Sequence, residues 1–275
     1  MPPERDVESF VRLVDALRPQ LPNLVFIGGW AHRLHRLPTY AQPLDYAPLM
    51  TRDVDVVVPL RGFPQADLRA LLLSADFKEA LMAEHQPPIT RYELGAAAGG
   101  FYAEFLTPLE GGEYRRDGTP DVTTKIGNVS AQKLRHLDVL LQSSWSVRLQ
   151  PENGFPFREP TEIRIPNAAS YLAQKILIHG KRRAEDKARD ILYIHDTIDA
   201  FGQALERLHA VWHEHVRAHL HTRAAEAVEG AHIELFGSVS DAIREASIQA
   251  RGTGRELSPE TIRLVGELGL RQIFG

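Results

Sequence analysis

The sequence contains no cysteine. Disulfides and thiolate metal sites are thereby excluded, and any bound ion must be held by carboxylates, imidazoles or backbone groups. Long apolar runs are also missing: none approaches the roughly 18 residues that a membrane span needs. Charge of one sign is lacking too. Lys plus Arg is 32 and Asp plus Glu is 36, for a formal net charge of −4. So weak a balance is unlike a protein that coats nucleic acid through a broad basic surface, though it leaves room for a local basic patch. No internal repeat and no low-complexity tract is present. What remains is ordinary for a soluble globular chain, at 43% hydrophobic and 25% charged residues. A length of 275 residues allows one large domain or two ordinary ones, with a sizeable core. The first residues carry Glu4, Asp6 and Glu8 in place of an apolar signal segment, so a cytoplasmic location is expected.

Hydrophobic spacing divides the chain. Val7, Phe10, Val11, Val14 and Leu17 recur at helical intervals, and Pro19 and Pro22 close that helix. Residues 23–27 form a short apolar run stopped by Gly28-Gly29, which predicts a buried strand feeding a tight turn, with a short helix over 30–37. Residues 38–50 carry three prolines and read as an inserted loop. The β-branched run 54–58 predicts a strand, and 65–74 a surface helix. Strands are expected at 90–94 and 101–106, split by a small-residue turn at 95–100. Residues 107–128 read as loop with weak strand, and Leu134, Leu137, Leu140 and Leu141 as a helix. Alternation at 145–149 and 163–165 predicts two more strands. From Pro166 the pattern turns helical, at 171–178, 191–201, 205–220 and 224–250, and Ser258-Pro259 caps a last helix. The expected fold class is therefore α+β: a mixed β-sheet with flanking helices over 1–165, followed by a helical domain over 166–275.

The segment richest in chemistry is Thr51-Arg52-Asp53-Val54-Asp55. Side chains alternate along a strand, so Asp53 and Asp55 share one face. Two like charges side by side are costly unless something neutralises them. A hard divalent cation does so, and Mg²⁺ typically pairs one or two carboxylates with substrate phosphates. The plainer alternative is a strand end whose acids face water or pair with Arg52. Ile27-Gly28-Gly29-Trp30 is a second element: a strand, a glycine turn and a helix present free backbone N–H groups to an anion, though many such turns are merely structural. A third is Glu104, in the strand 101–106 on the face opposite Phe101, Ala103 and Phe105; alone it would read as a rim residue.

Together, the Gly-Gly turn, the Thr-x-Asp-x-Asp strand and the later strand acid resemble the polymerase-β-like nucleotidyltransferase superfamily. Within it the chain is most similar to the bacterial branch that includes abortive-infection and other toxin–antitoxin nucleotidyltransferases. The similarity extends through Arg164-Ile165-Pro166-Asn167-Ala168, Lys175 and Lys187-Ala188-Arg189-Asp190, and covers about 24–200. Three positions depart from the family's pattern. The Gly-Gly turn lies further from Asp53 than in compact members, Gly29 stands where serine is common, and Glu104 where Asp is common. The resemblance implies that Asp53, Asp55 and Glu104 hold two Mg²⁺ ions on a nucleoside triphosphate. It implies that Gly28, Gly29, Thr51, Arg52, Lys175 and Lys187 bind the nucleotide. A nucleoside monophosphate would pass to an acceptor hydroxyl on RNA, protein or a small molecule, and an antitoxin protein is a possible partner. The alternative is a degenerate member that binds a nucleotide or partner without catalysis.

Two further clusters stand out. Lys175, Lys181, Arg182, Arg183, Lys187 and Arg189 make a basic segment, readable as a phosphate clamp or as a solvated face paired with Glu185, Asp186 and Asp190. His209/His213 and His215/His219 have i, i+4 spacing, but the apolar stripe from Ile194 to Trp212 explains that region as a packed helix.

Overall fold

The computed structural model describes residues 4–49, 51–82, 89–95 and 100–275. The small-residue turn expected at 95–100 lies mostly outside the described residues. The chain divides into two compact units, Met1–Ala31 with Met50–Ile165, and His32–Leu49 with Pro166–Gly275. The inserted loop 38–50, read from sequence as part of the first domain, thus falls almost wholly in the second unit.

The first unit is built on one mixed sheet. Its elements are α1 (Glu4–Ala16), β1 (Val25–Phe26), α2 (Gly28–Leu34, which runs on into the second unit), β2 (Asp53–Val57), α3 (Leu68–Ser74), β3 (Lys78–Met82) and β4 (Ile89–Leu94). There follow β5 (Phe101–Pro108), β6 (Thr123–Ile126), β7 (Val129–Leu134), α4 (Leu137–Leu141), β8 (Trp145–Leu149) and β9 (Thr161–Ile165). The strand order is β3-β4-β5-β2-β1-β9-β8, with β7 pairing β5 and β6. Pairing of β2 with β5 and of β1 with β9 is parallel, while β1–β2, β4–β5 and β8–β9 are antiparallel. The α+β class with a mixed sheet is what the sequence predicts.

Local chemistry explains these elements. One face of α1 buries Val7, Phe10, Leu13 and Val14, and Phe10 stacks on Trp30 with ring centroids 3.9 Å apart. Trp30 also meets Phe101 edge-on at 6.3 Å, so the start of α2 is pinned to the core beside β5. Val25, Ile27, Val57, Leu106, Leu137 and Leu140 form a buried cluster. The carboxylate of Asp67 caps α3 by accepting the Ala70 N–H at 2.8 Å, so this helix starts at Leu68, later than its spacing predicts. Gly127 and Asn128, with φ of 56° and 61°, make a two-residue hairpin turn between β6 and β7. Leu134, read as the start of a helix, instead ends β7; the helix is confined to α4.

The second unit is helical: α5 (Ala168–His179), α6 (Ala184–Ala200), α7 (Leu205–Val211), α8 (Thr222–Glu229), α9 (Ala231–Glu234), α10 (Asp241–Arg251) and α11 (Pro259–Phe274). A π-type turn at Trp212–Val216 follows α7. The single helix predicted over 224–250 is three, because Gly230 ends α8 and the segment 235–240 separates α9 from α10. Ser240 starts α10 by accepting the Ile243 N–H, and Ser258 caps α11 as its sequence predicts. Among the described residues, no helix is long and apolar enough to cross a membrane.

Candidate active site

β2 and β5 run parallel with Asp53 opposite Tyr102 and Asp55 opposite Glu104. Side chains of register partners lie on the same face, so Asp53, Asp55, Tyr102 and Glu104 share one side of the sheet. Along β2, Val54 and Val56 on the opposite face are fully buried while both acids are partly open, and Val57 closes the acids' own face with a buried apolar side chain. The hydroxyl of Thr51 donates to Asp53 Oδ1 and fixes that carboxylate.

The Gly-Gly turn abuts this face. Ile27 donates its N–H to the Asp55 carbonyl at 2.9 Å, continuing the β1–β2 ladder to the turn. Gly28 then adopts φ +65°, and a Cβ placed there would lie 2.5 Å from Asp55 Oδ2. Glycine is required twice over, by the left-handed backbone and by the carboxylate against it. The sequence shows the turn; only the fold shows that it is wrapped on Asp55.

Glu104 has a partner that sequence reasoning missed. Arg91 on β4 stands opposite Glu104 in the antiparallel register, and its Nε donates to Glu104 Oε1 at 2.6 Å. The guanidinium lies over the Tyr102 ring, 4.5 Å from its centroid. Arg91, Glu104 and Asp55 therefore form one row across three strands, with Tyr102 and Asp53 beside it. Burial, followed by the negative charge of Asp53, pushes the Tyr102 hydroxyl up to about 12, so it stays protonated at neutral pH. The two-residue alternation of β5 placed Tyr102 on this face, but no sequence signal gave the register of β4. Among the described residues, no set of three or more His, Asp or Glu side chains is placed to hold a metal ion.

The predicted residues of the second unit have other surroundings. Lys175 is 4% exposed, and its ammonium donates to Asp190 Oδ1 at 2.7 Å, with the Tyr193 ring 4.8 Å away. Arg182 donates to the other Asp190 oxygen at 3.2 Å. Lys175 and Asp190 thus form a buried ion pair joining α5 to α6. Lys187 is half-buried on α6. Arg164, in the first unit, donates to Ser144 Oγ and to the Pro22 carbonyl, while Asn167 caps α5 through the Ser170 N–H. The rings of His209 and His213 lie 4.3 Å apart, and His209 Nδ1 is 3.2 Å from the Ile273 carbonyl oxygen.

Sequence reasoning also missed a buried polar network in this unit. Asp196 Oδ1 accepts from Arg255 at 2.6 Å and from His195 Nδ1 at 3.0 Å. Burial pushes its carboxyl up, but those hydrogen bonds, with the charge of His32 between them in weight, outweigh burial and hold it at about 2. Burial, with smaller contributions from the charges of His35, Arg36 and Lys175, drives His32 down to about 3 against the pull of Asp196. His35, bonded through Nε2 to the Pro166 carbonyl at 2.9 Å, is brought by burial to about 4.

The structure thus places a glycine turn against one of two carboxylates on the polar face of a mixed sheet in an α+β protein. The chain matches the nucleotidyltransferase family over residues 5–217, and it belongs to that family. Neither the curated proteins nor the solved structures compared with it gave a match.

Proposed function

We propose that this protein transfers a nucleoside monophosphate from a nucleoside triphosphate to an acceptor hydroxyl and releases pyrophosphate, with Mg²⁺ at Asp53 and Asp55. The observation that carries this reading is the Asp53–Asp55 pair on one face with Gly28 closed on Asp55, in a chain of the nucleotidyltransferase family. The donor set fits the ion. Two hard carboxylates beside a glycine turn are what Mg²⁺ uses when substrate phosphates complete its shell. When bound, Mg²⁺ would neutralise the triphosphate and the charge that develops on transfer.

The protein's own residues would position the reactants. Thr51 holds the Asp53 carboxylate in orientation. Gly28 and Gly29 would offer backbone N–H groups to the phosphates, and Arg52 a positive charge beside them. Glu104 would take the acceptor's proton or join a second Mg²⁺ only after leaving Arg91. Lys175, committed to Asp190, would act by fixing α5 on α6, while Lys187 remains a candidate for phosphate contact. RNA or protein is the acceptor we favour, with a toxin-like role and an antitoxin partner as the corresponding biology.

Incubating the protein with labelled nucleoside triphosphates, Mg²⁺ and a total-RNA or protein pool tests this directly. Transfer of label that Asp53→Asn abolishes supports it; no transfer to any acceptor counts against it. A second reading, a nucleotide-binding member without catalysis, is favoured by the Arg91–Glu104 ion pair. Nucleotide binding without any transfer would select it.

A further inference from the structure

α11 carries an apolar stripe that faces solvent. Leu264 and Leu268 are 47% and 51% exposed. Residues four apart on a helix lie on one face, so the two leucines stand one above the other. With the exposed Thr261 they follow the three- and four-residue spacing of a seam that packs on a second helix. Large apolar side chains exposed singly are ordinary, whereas a continuous stripe on one helix marks a contact surface.

The stripe is held outward. Ile262, Leu270, Ile273 and Phe274 are buried on the other side of the helix. A Cβ at Gly266 would lie 2.3 Å from the Phe236 ring, and one at Gly269 2.4 Å from the Ile198 side chain. Glycine at these two places lets the α11 backbone rest directly on both neighbours. Rolling the helix to bury Leu264 and Leu268 would drive bulkier side chains into Phe236 and Ile198 and expose groups now in the core. Rearrangement within the chain therefore does not cover the stripe.

The charges beside the stripe say what does cover it. At 3.6 residues per turn, Glu260, Glu267 and Arg271 lie along one flank of the two leucines. Glu267 is bonded to both Arg263 and Arg271, which leaves a net positive charge toward the C-terminal end. Glu260, in the first turn, forms no ion pair among the described residues. The flank is negative at its start and positive at its end, so its complement is the same flank turned end for end. We propose that α11 pairs with α11 of a second copy of this chain. The helices run antiparallel across a two-fold axis near Gly266, with Leu264 against the partner's Leu268 and Glu260 beside the partner's Arg271. A face that matches its own inverse is what a two-fold contact between identical chains requires. The axis maps the charged flank onto itself, so both ion pairs form together, and the antiparallel helix dipoles favour the arrangement. Glu267, nearest the axis, meets its symmetry mate already neutralised by its two arginines. The contact does not depend on the transfer reaction.

A helix of 16 residues is about 24 Å long. One such pair makes an interface at the small end of specific contacts, for which a Kd of roughly 10 µM is expected. Sedimentation equilibrium of the full chain at low ionic strength, from about 1 µM to about 100 µM, brackets that value. The mass should rise with concentration from 30.8 kDa toward twice that. Leu264→Gln/Leu268→Gln removes four leucines from each dimer and should weaken association at least about a hundredfold. Both leucines are exposed, so this variant should keep the helical circular dichroism of the parent. Glu260→Lys and Arg271→Glu should each weaken self-association about fivefold, because each puts like charges together at two symmetry-related places. Mixed in equal amounts, these two variants should associate more tightly than either alone, since a mixed pair restores opposite charges at both places. A parent chain that stays monomeric at every concentration, as it would if a different protein covers α11, would overturn the proposal. So would a Leu264→Gln/Leu268→Gln variant that associates like the parent, or a mixture no tighter than its components.

Discussion

The buried histidines of the helical unit make its stability depend on pH in a calculable way. His32 and His35 are 3% and 1% exposed, and burial lowers their pKa values from 6.5 to about 3 and about 4. An imidazole with a depressed pKa binds its proton less readily in the folded chain than in the unfolded one. Its stabilising contribution is complete above pH 6.5 and is lost as the pH falls toward the folded value. Between pH 8 and pH 5 each ring should cost about 2 kcal/mol, so the pair costs about 4 kcal/mol. His179, shifted the same way, adds to this loss. Asp196 does not offset it, because a carboxyl held at about 2 stays ionised in this range and yields its stabilisation only in stronger acid. Urea unfolding at pH 8, 6.5 and 5, followed by the fluorescence of the fully buried Trp212, measures the effect. His32→Leu/His35→Leu should flatten the profile by about 4 kcal/mol whatever its stability at pH 8. Equal stability at pH 8 and pH 5, or an unchanged profile in the double variant, would refute the reasoning.

Other expectations follow from single contacts. Lys175→Met leaves Asp190 buried with only Arg182, and should destabilise the chain by about 3 kcal/mol in urea unfolding; Lys175→Met/Asp190→Leu should recover much of that. Gly28→Ala forces a left-handed alanine against Asp55 Oδ2. It should cost about 1–2 kcal/mol in thermal or urea unfolding and weaken nucleotide binding, because the Asp55 carboxylate must move. Glu104→Gln distinguishes the two functional readings. If Arg91 keeps the carboxylate occupied, Mg²⁺-dependent nucleotide affinity should change by less than about threefold, whereas a ligand role would cost tenfold or more.

How much was legible before the fold was known depended on how local each signal was. The strand bearing Asp53 and Asp55 can be read because Val54, Val56, Val57 and Val58 make a β-branched run interrupted only by Asp55. The same two-residue period put Glu104 opposite Phe101, Ala103 and Phe105 within its own strand, but its place beside Asp53 and Asp55 rests on the β2–β5 register. The row Arg91–Glu104–Asp55 could not be read, because it rests on two strand registers joined by no sequence motif. Lys175 reads in sequence as part of a phosphate clamp, because its carboxylate partner Asp190 lies on the next helix, where spacing alone assigns it to a solvated face. The long helix over 224–250 was overread because apolar spacing continues across Gly230 and Gly237 while the chain turns there. His32 and His35 gave no signal, since a buried histidine and a surface one look alike in sequence.

The central claim is that Asp53 and Asp55, with the turn at Gly28, form a Mg²⁺-dependent nucleotide site. Isothermal titration with nucleoside triphosphates, with and without Mg²⁺, tests it on the parent chain and on Asp53→Asn/Asp55→Asn. Both acids are partly open on the polar face, so the variant should fold and can be checked by circular dichroism. Mg²⁺-dependent binding of at least one triphosphate by the parent, and its loss in the variant, are expected. No binding by the parent, or equal binding by the folded variant, would contradict it.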